Sequence, residues 1–219
     1  MRLYSYWRSS ASWRVRIVLA YKKINYEYVP VNISPSHSAQ HEPSYAEVNA
    51  LRQVPVLEWS HRGELTRLTQ SVAITEHLEA IHPSPQLLPD EPLKRARVRE
   101  LLEIINSGVQ PLQNTAVLNC IKKLTGDDMA IDWARGVNEH GMLAIERHVS
   151  TFGGRYAVGD ALSMADVFLV PQLYNAARFG VDLTRFPRSV DIAARASELP
   201  AFVAAHPDAQ QDAPAKAST

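Results

Sequence analysis

SSASWRVRI (Ser9–Ile17) is the stretch from which the fold is read. Three hydroxyls open a run in which Trp13, Ile17 and Ala20 recur at i, i+4 and i+7, the spacing of one helix face, so a helix is expected over Ser12–Lys22. Upstream, Arg2–Tyr6 is a short candidate strand. Downstream, Tyr26–Val31 is rich in Tyr and Val and reads as a second strand. Asn32–Pro43 is polar, with serines, histidines and two prolines, and reads as a mobile loop rather than an element. Pro55 would enter an apolar strand, Val56–Trp59. A turn at Ser60–Glu64 contains a glycine, which makes Leu65–Leu68 the return strand of a hairpin. Ser71–Ile81 is the next helix, with Ile74, Leu78 and Ile81 on one face and Ser71 as its expected N-cap. The order is βαβ, then ββα.

Beyond this the pattern changes. His82–Pro92 holds prolines at 83, 85, 89 and 92, a break of the kind found between domains. Val98, Leu101, Leu102 and Ile105 give a helical stripe, and Met129, Trp133 and Val137 give another. Ser163-Met164-Ala165-Asp166 has the shape of a capping box with Asp in place of Glu or Gln. An α/β first part followed by an all-helical second part, to about residue 206, is the expected plan. The 219 residues suit one large domain or two small ones, and 46% hydrophobic with 21% charged content suits a packed core. Lys+Arg and Asp+Glu both total 23, a formal net charge of zero, which argues against nucleic acid or a polybasic membrane anchor as partner. No stretch approaches the roughly 20 apolar residues of a membrane-spanning helix, and the opening MRLYSYWRSS lacks the apolar core of a secretory signal. A lone cysteine, Cys120, excludes a disulfide framework and a cysteine zinc site, and points to a reducing cytoplasm.

Three segments carry candidate chemistry. Arg8–Arg14 places hydroxyls and free N–H groups at a helix start, an anion site. An anionic sulfur there would gain about 0.3–1 kcal/mol, and up to about 2, from the helix dipole. A hydroxyl hydrogen bond adds roughly 1.5–3 kcal/mol. At about 1.36 kcal/mol per unit, the two together lower a thiol pKa by roughly one to three units. The plainer alternative is an N-cap by Ser10 or Ser12. At Gln53-Val54-Pro55, a cis peptide would turn the Val54 N–H and C=O outward to pair with an extended peptide. The alternative is an edge-strand proline. Gln70-Ser71 offers an amide, a hydroxyl and helix N–H groups to a carboxylate, or is an ordinary N-cap. The eight histidines (37, 41, 61, 77, 82, 140, 148 and 206) form no helical metal pair and read as solvated or capping residues. No metal site is expected. Cys120 reads as a small buried apolar residue.

Taken together these segments resemble the glutathione transferase fold, in which a thioredoxin-like domain is followed by an all-helical domain. The zeta class is the closest match: its members carry Ser-Ser-Cys-Ser-Trp-Arg-Val-Arg-Ile where this chain has SSASWRVRI. The likeness continues through QVPVL (Gln53–Leu57), QSVAI (Gln70–Ile74), VQPLQN (Val109–Asn114), VGDALSMADVFLVPQ (Val158–Gln172) and ARFGVDLT (Ala177–Thr184), and runs from Met1 to about Ala213. The resemblance implies a glutathione-binding domain over 1–82, a linker over 83–92, a helical substrate domain over 93–213 and a disordered tail over 214–219. It implies that Ser9 activates the thiol of glutathione, with Ser10 and the helix start at Ala11, Ser12, Trp13 and Arg14 supporting the thiolate. Val54 would pair through its backbone, with Pro55 cis. Gln70 and Ser71 would hold the γ-glutamyl carboxylate, Gln40 the glycyl end, and Gln110 and Asn114 would lie near the cofactor. Arg8 and Arg178 would bind the substrate's carboxylates.

The class includes maleylacetoacetate and maleylpyruvate isomerases. The function implied is therefore a glutathione-dependent cis–trans isomerase acting on maleylacetoacetate or a close anionic diketo acid in aromatic amino-acid catabolism. A cytoplasmic homodimer is the implied state. Maleylpyruvate isomerase and general glutathione conjugation are the alternatives among enzymes, and a non-catalytic glutathione- or anion-binding protein is the alternative outside them. Two departures stand out. Ala11 replaces the usual cysteine, which leaves isomerisation open and removes the thiol that reductive dehalogenation needs. The Trp59–Leu68 hairpin reads a few residues long.

Overall fold

Strand β1 (Arg2–Ser5), helix α1 (Ser10–Tyr21) and strand β2 (Glu27–Pro30) form a parallel βαβ unit. After the short helix α2 (Pro43–Ala46), strands β3 (Val56–His61) and β4 (Glu64–Thr69) form an antiparallel hairpin, and helix α3 (Ser71–Ile81) follows. The sheet order is β2-β1-β3-β4, with β3 antiparallel to β1. This is a thioredoxin-like sheet. The structure, a computed structural model, describes residues 1–34 and 37–215. Register fixes what the sheet brings together. Tyr4 lies opposite Val56, and Val56 opposite Thr69. The exit of β1, the entry of β3 and the exit of β4 therefore share one end of the sheet. All three candidate segments, Arg8–Arg14, Val54–Pro55 and Gln70–Ser71, start from that end.

Helix α1 is buried on nearly every side, Arg14 and Arg16 included. It packs against α3 and also against a helix from far along the chain, α9 (Pro200–Ala205). Residues 199–215 thus belong with Met1–Pro85, and Gln86–Glu198 form the second unit. The expected helical domain ran from 93 to 213. The difference arises because Phe202 and Ala205 are buried against α1, a pairing no local pattern reveals. Of the expected tail 214–219, only 214 and 215 lie within the described residues.

The second unit comprises α4 (Pro92–Glu103), α5 (Thr115–Thr125), α6 (Asp127–Phe152), α7 (Met164–Arg178) and α8 (Pro187–Ser197). A wide turn, Ile104–Val109, and a tight one, Gln110–Gln113, join α4 to α5. Val98, Leu101, Leu102 and Ile105 are buried as expected. The α6 stripe is offset by one residue: Met129 and Trp133 are exposed, while Ala130, Ala134, Met142, Ile145 and Val149 are buried. The Trp133 indole N–H donates instead to the Leu112 carbonyl at 3.0 Å. Helix α5 buries none of its residues, so Cys120 is exposed, contrary to expectation. His148, read with the other histidines as solvated or capping, is buried, with Nε2 3.3 Å from a Glu100 carboxylate oxygen. The capping box forms: Asp166 Oδ2 accepts from the Ser163 N–H at 2.9 Å. Among the described residues no helix is long and apolar enough to cross a membrane.

Three local expectations change in the first unit. Helix α1 starts two residues before Ser12, and Ser9 is its cap rather than Ser10 or Ser12. Gln70 occupies the cap position of α3, so Ser71 is the first helical residue. The span 32–43 holds a tight turn, Ala39–His41, and Pro43 opens α2; residues 35 and 36 lie outside the described residues.

Candidate functional site

Ser9 takes extended backbone angles, φ −66° and ψ 116°, as an N-cap requires. Its Oγ accepts from the Ser12 N–H at 3.2 Å, and its own N–H donates to the Tyr6 carbonyl at 3.0 Å. With the oxygen already accepting, the hydroxyl proton is left as a donor. The next two amides, of Ser10 and Ala11, are first-turn donors that an α-helix does not satisfy internally. Ser12 Oγ is buried with no hydrogen-bond partner among the described residues. Trp13 is buried edge-on to His206, ring centroids 5.3 Å apart.

Arg14 links two of the candidate segments. Its guanidinium is buried, and Nη1 donates to Ser71 Oγ at 3.1 Å. Burial lowers its pKa to about 9, so it remains a cation at neutral pH. A buried positive charge from the second turn of α1 thus reaches the start of α3, whose helix dipole also favours an anion. Arg16, the second buried cation of α1, was missed as a candidate. It donates from Nη2 to the Trp7 carbonyl at 2.8 Å and from Nη1 to the Tyr6 carbonyl at 3.2 Å, and so holds the link that leads to Ser9. An arginine set between Val15 and Ile17 in an apolar helix was the available signal.

The Val54–Pro55 peptide is cis, as the resemblance implied. The Val54 side chain anchors a core cluster with Tyr6, Val31, Tyr45 and Val56. The preceding carbonyl, of Gln53, accepts from Tyr45 Oη at 2.9 Å and from Asn49 Nδ2 at 2.8 Å. Burial pushes the Tyr45 phenol up, which keeps it a donor. Among the described residues the Val54 N–H and C=O carry no hydrogen bond, an edge open to an added strand. Gln70 has φ 70° and ψ 118°, a strained conformation for a residue with a Cβ. Such strain costs about 1–3 kcal/mol and gathers at ligand clamps. Gln40 sits in the tight turn beside Ala39, which packs on the Val54 cluster; the Gln40 Oε1 atom is buried with no partner among the described residues. The Arg8 guanidinium lies 5.2 Å from the Trp7 ring centroid.

Three further candidates belong to the second unit. Gln110 opens the tight turn and is half-buried. Asn114 caps α5, its Oδ1 accepting from the Ala116 N–H at 3.1 Å, so that oxygen already has a donor. Arg178 is exposed in the last turn of α7, with Cζ 4.7 Å from the Phe179 ring centroid. Behind the turn, Gln113, Asn138 and Gln172 form a buried ring of amides: Gln113 Nε2 to Gln172 Oε1 at 3.1 Å, Gln172 Nε2 to Asn138 Oδ1 at 2.7 Å, and Asn138 Nδ2 to Gln113 Oε1 at 2.7 Å.

One end of the sheet therefore offers a hydroxyl donor, two helix starts, a buried cation and an unpaired extended strand. These suit an elongated, peptide-like anion, and the sheet that carries them is that of a glutathione transferase. The family model "Glutathione S-transferase, N-terminal domain" matches residues 1–80. A relative described as probable maleylacetoacetate isomerase 2, from Drosophila melanogaster, is 46% identical over 97% of this chain and 90% of its own. The solved structure of maleylacetoacetate isomerase from Anaeromyxobacter dehalogenans with bound GSH is 46% identical, with a TM-score of 0.90 over 97% of each chain. A holo structure of maleyl pyruvate isomerase, a bacterial zeta-class enzyme, is 36% identical, with a TM-score of 0.91 over 98% of this chain and all of that one. The chain belongs to the maleylacetoacetate isomerase family, within the zeta class of glutathione transferases.

Proposed function

We propose that this chain is a glutathione-dependent cis–trans isomerase of maleylacetoacetate or a close anionic diketo acid. The observation that carries the reading is the shared sheet end, where the Ser9 hydroxyl, the open Val54 backbone and the Arg14–Ser71 pair converge. The residues fit the cofactor. Val54 would pair with the cysteinyl backbone, Gln70 and Ser71 would take the γ-glutamyl carboxylate, and the buried Gln40 Oε1 would face a donor at the glycyl end. When bound, glutathione supplies a thiolate that adds reversibly to the conjugated carbon, so that the former double bond can rotate before elimination. The Ser9 O–H donates to that sulfur and keeps it ionised, helped by the first-turn N–H groups of Ser10 and Ala11. Arg8 would offer a guanidinium fork to a substrate carboxylate and stabilise the negative charge that develops on the carbonyl oxygen, and Arg178 of the second unit is the other guanidinium proposed for a carboxylate. Ala11 leaves this chemistry intact, since the only thiol required belongs to the cofactor.

Maleylpyruvate as substrate is the second reading, favoured by the likeness to the maleyl pyruvate isomerase structure. Roles in aromatic amino-acid catabolism, a cytoplasmic location and a homodimer belong to the same proposal. The test is an ultraviolet time course with each substrate, with and without glutathione. Conversion that depends on glutathione supports the reading and selects the substrate. Glutathione binding without conversion of either would instead favour a conjugating enzyme or a binding protein.

A further inference from the structure

Asp212 stands 205 residues along the chain from Trp7, yet its Oδ2 accepts from the Trp7 N–H at 3.0 Å. Its Oδ1 accepts from Tyr28 Oη at 2.7 Å. The same peptide link is gripped on its other side by Arg16, which donates to the carbonyls of Tyr6 and Trp7 and, through Nη1, to Ser5 Oγ at 3.1 Å. Trp7 thus has a carboxylate on its N–H and a guanidinium on its C=O. The C-terminal segment is fastened at two more points: Arg16 Nε donates to the Ala205 carbonyl at 3.2 Å, and Gln211 Nε2 to the Tyr28 carbonyl at 3.1 Å. Burial lowers the Arg16 pKa to about 10, and Tyr28, Tyr26 and Asp212 oppose that fall.

We propose that Asp212 is a positioning residue for Ser9. The inference rests on the reading that the Ser9 hydroxyl holds the glutathione sulfur as thiolate. The Ser9 N–H hangs on the Tyr6 carbonyl, so the backbone that Asp212 and Arg16 clamp sets where Ser9 Oγ points. A hydroxyl hydrogen bond has a narrow distance range, and a displacement of about 1 Å can cost a factor of about 10² in rate. A carboxylate suits the role because it bridges two donors, one backbone and one phenolic.

The test uses the full chain with Asp212→Ala, Asp212→Glu and Asp212→Asn, with Ser9→Ala for reference. Two quantities are read: backbone amide exchange at Trp7 and Ser9 without glutathione, and the ultraviolet titration of the thiolate in the glutathione complex. Asp212→Ala is expected to speed exchange at Trp7 and Ser9 and to raise the bound thiol pKa by about one unit, a roughly tenfold fall in its ionisation constant. Asp212→Glu, which keeps the charge but overreaches by a methylene, should give a smaller rise. Asp212→Asn, which still offers Trp7 an acceptor, should restore the thiol. A wild-type thiol pKa in Asp212→Ala, beside a raised one in Ser9→Ala, overturns the positioning role alone. If Asp212→Ala does not fold, a wild-type thiol pKa in Asp212→Glu overturns it equally. A thiol that Ser9→Ala leaves unmoved sinks the functional reading instead.

Discussion

Asp166 offers the sharpest energetic test of the structure. Its carboxylate is buried at the start of α7, where Oδ1 accepts from the Ala157 N–H at 2.8 Å and Oδ2 from the Ser163 N–H at 2.9 Å and Ser163 Oγ at 3.1 Å. Burial is the larger influence and raises its pKa from 3.8 to about 6, against those hydrogen bonds. Between those two values the folded protein holds a proton that the unfolded chain releases. The carboxyl therefore contributes stability that is complete below about pH 4 and is lost as pH rises through 6. Between about pH 5 and 7 the loss integrates to about 1.3 kcal/mol, one unit at about 1.36 kcal/mol. Asp166→Asn removes the titration and adds a constant cost of about 1–3 kcal/mol, because its NH₂ must face one of the two N–H donors. Urea unfolding of both proteins, followed by tryptophan fluorescence, measures the difference at each pH. The stability advantage of the wild type over Asp166→Asn should shrink by about 1.3 kcal/mol between about pH 5 and 7. A difference that stays flat would show the carboxylate ionised throughout, with its hydrogen bonds outweighing burial. A difference that grows would reverse the sign and refute the argument.

Three other changes test separate parts of the structure. Ser9→Ala should cost about 1 kcal/mol of stability through the lost cap. It should also raise the bound glutathione thiol pKa by roughly one to two units, read by ultraviolet titration, and remove most turnover. Gln70→Gly should relieve about 1–3 kcal/mol of backbone strain against about 0.5–1 for the flexibility of glycine. A higher urea midpoint together with weaker glutathione binding by calorimetry is therefore expected; a lower midpoint would mean that φ 70° carries no strain. Asn138→Leu should break the amide ring and strand the buried Gln113 and Gln172 amides, at about 1–3 kcal/mol each in urea unfolding.

The sequence reveals most where a pattern is local. Ser71–Ile81 is a helix over the expected span, because Ile74 and Leu78 face the core and a turn conformation at Gln70 opens it. The hairpin around Gly63 and the capping box at Ser163 follow for the same reason: each is decided within a few residues. Offsets of one residue escape such reading. Trp133 looks like a core residue by size, yet its indole needs an acceptor and finds one at the Leu112 carbonyl on the outside of α6, so the smaller Ala130 and Ala134 turn inward. Cap positions escape it too. Ser9, Ser10 and Ser12 are chemically alike, and only the backbone angles at Ser9 choose among them.

What stays hidden is pairing across long distances, and the candidate site depends on it most. Ser9, Val54 and Gln70 could be named from short motifs, but their convergence comes from the β1-β3-β4 register. The buried cations of α1 make the same point. Two arginines separated by one residue point in different directions, and each finds a partner that sequence spacing cannot suggest. Arg14 meets Ser71, 57 positions on, and Arg16 meets the Ala205 carbonyl, 189 positions on. A buried guanidinium is costly unless its donors are met, so neither arginine persists in α1 without the distant chain that receives it. On this argument the C-terminal segment supports the candidate site through the helix it packs against. It supplies the Ala205 carbonyl to the Arg16 guanidinium, which also holds the Tyr6 and Trp7 carbonyls just ahead of Ser9.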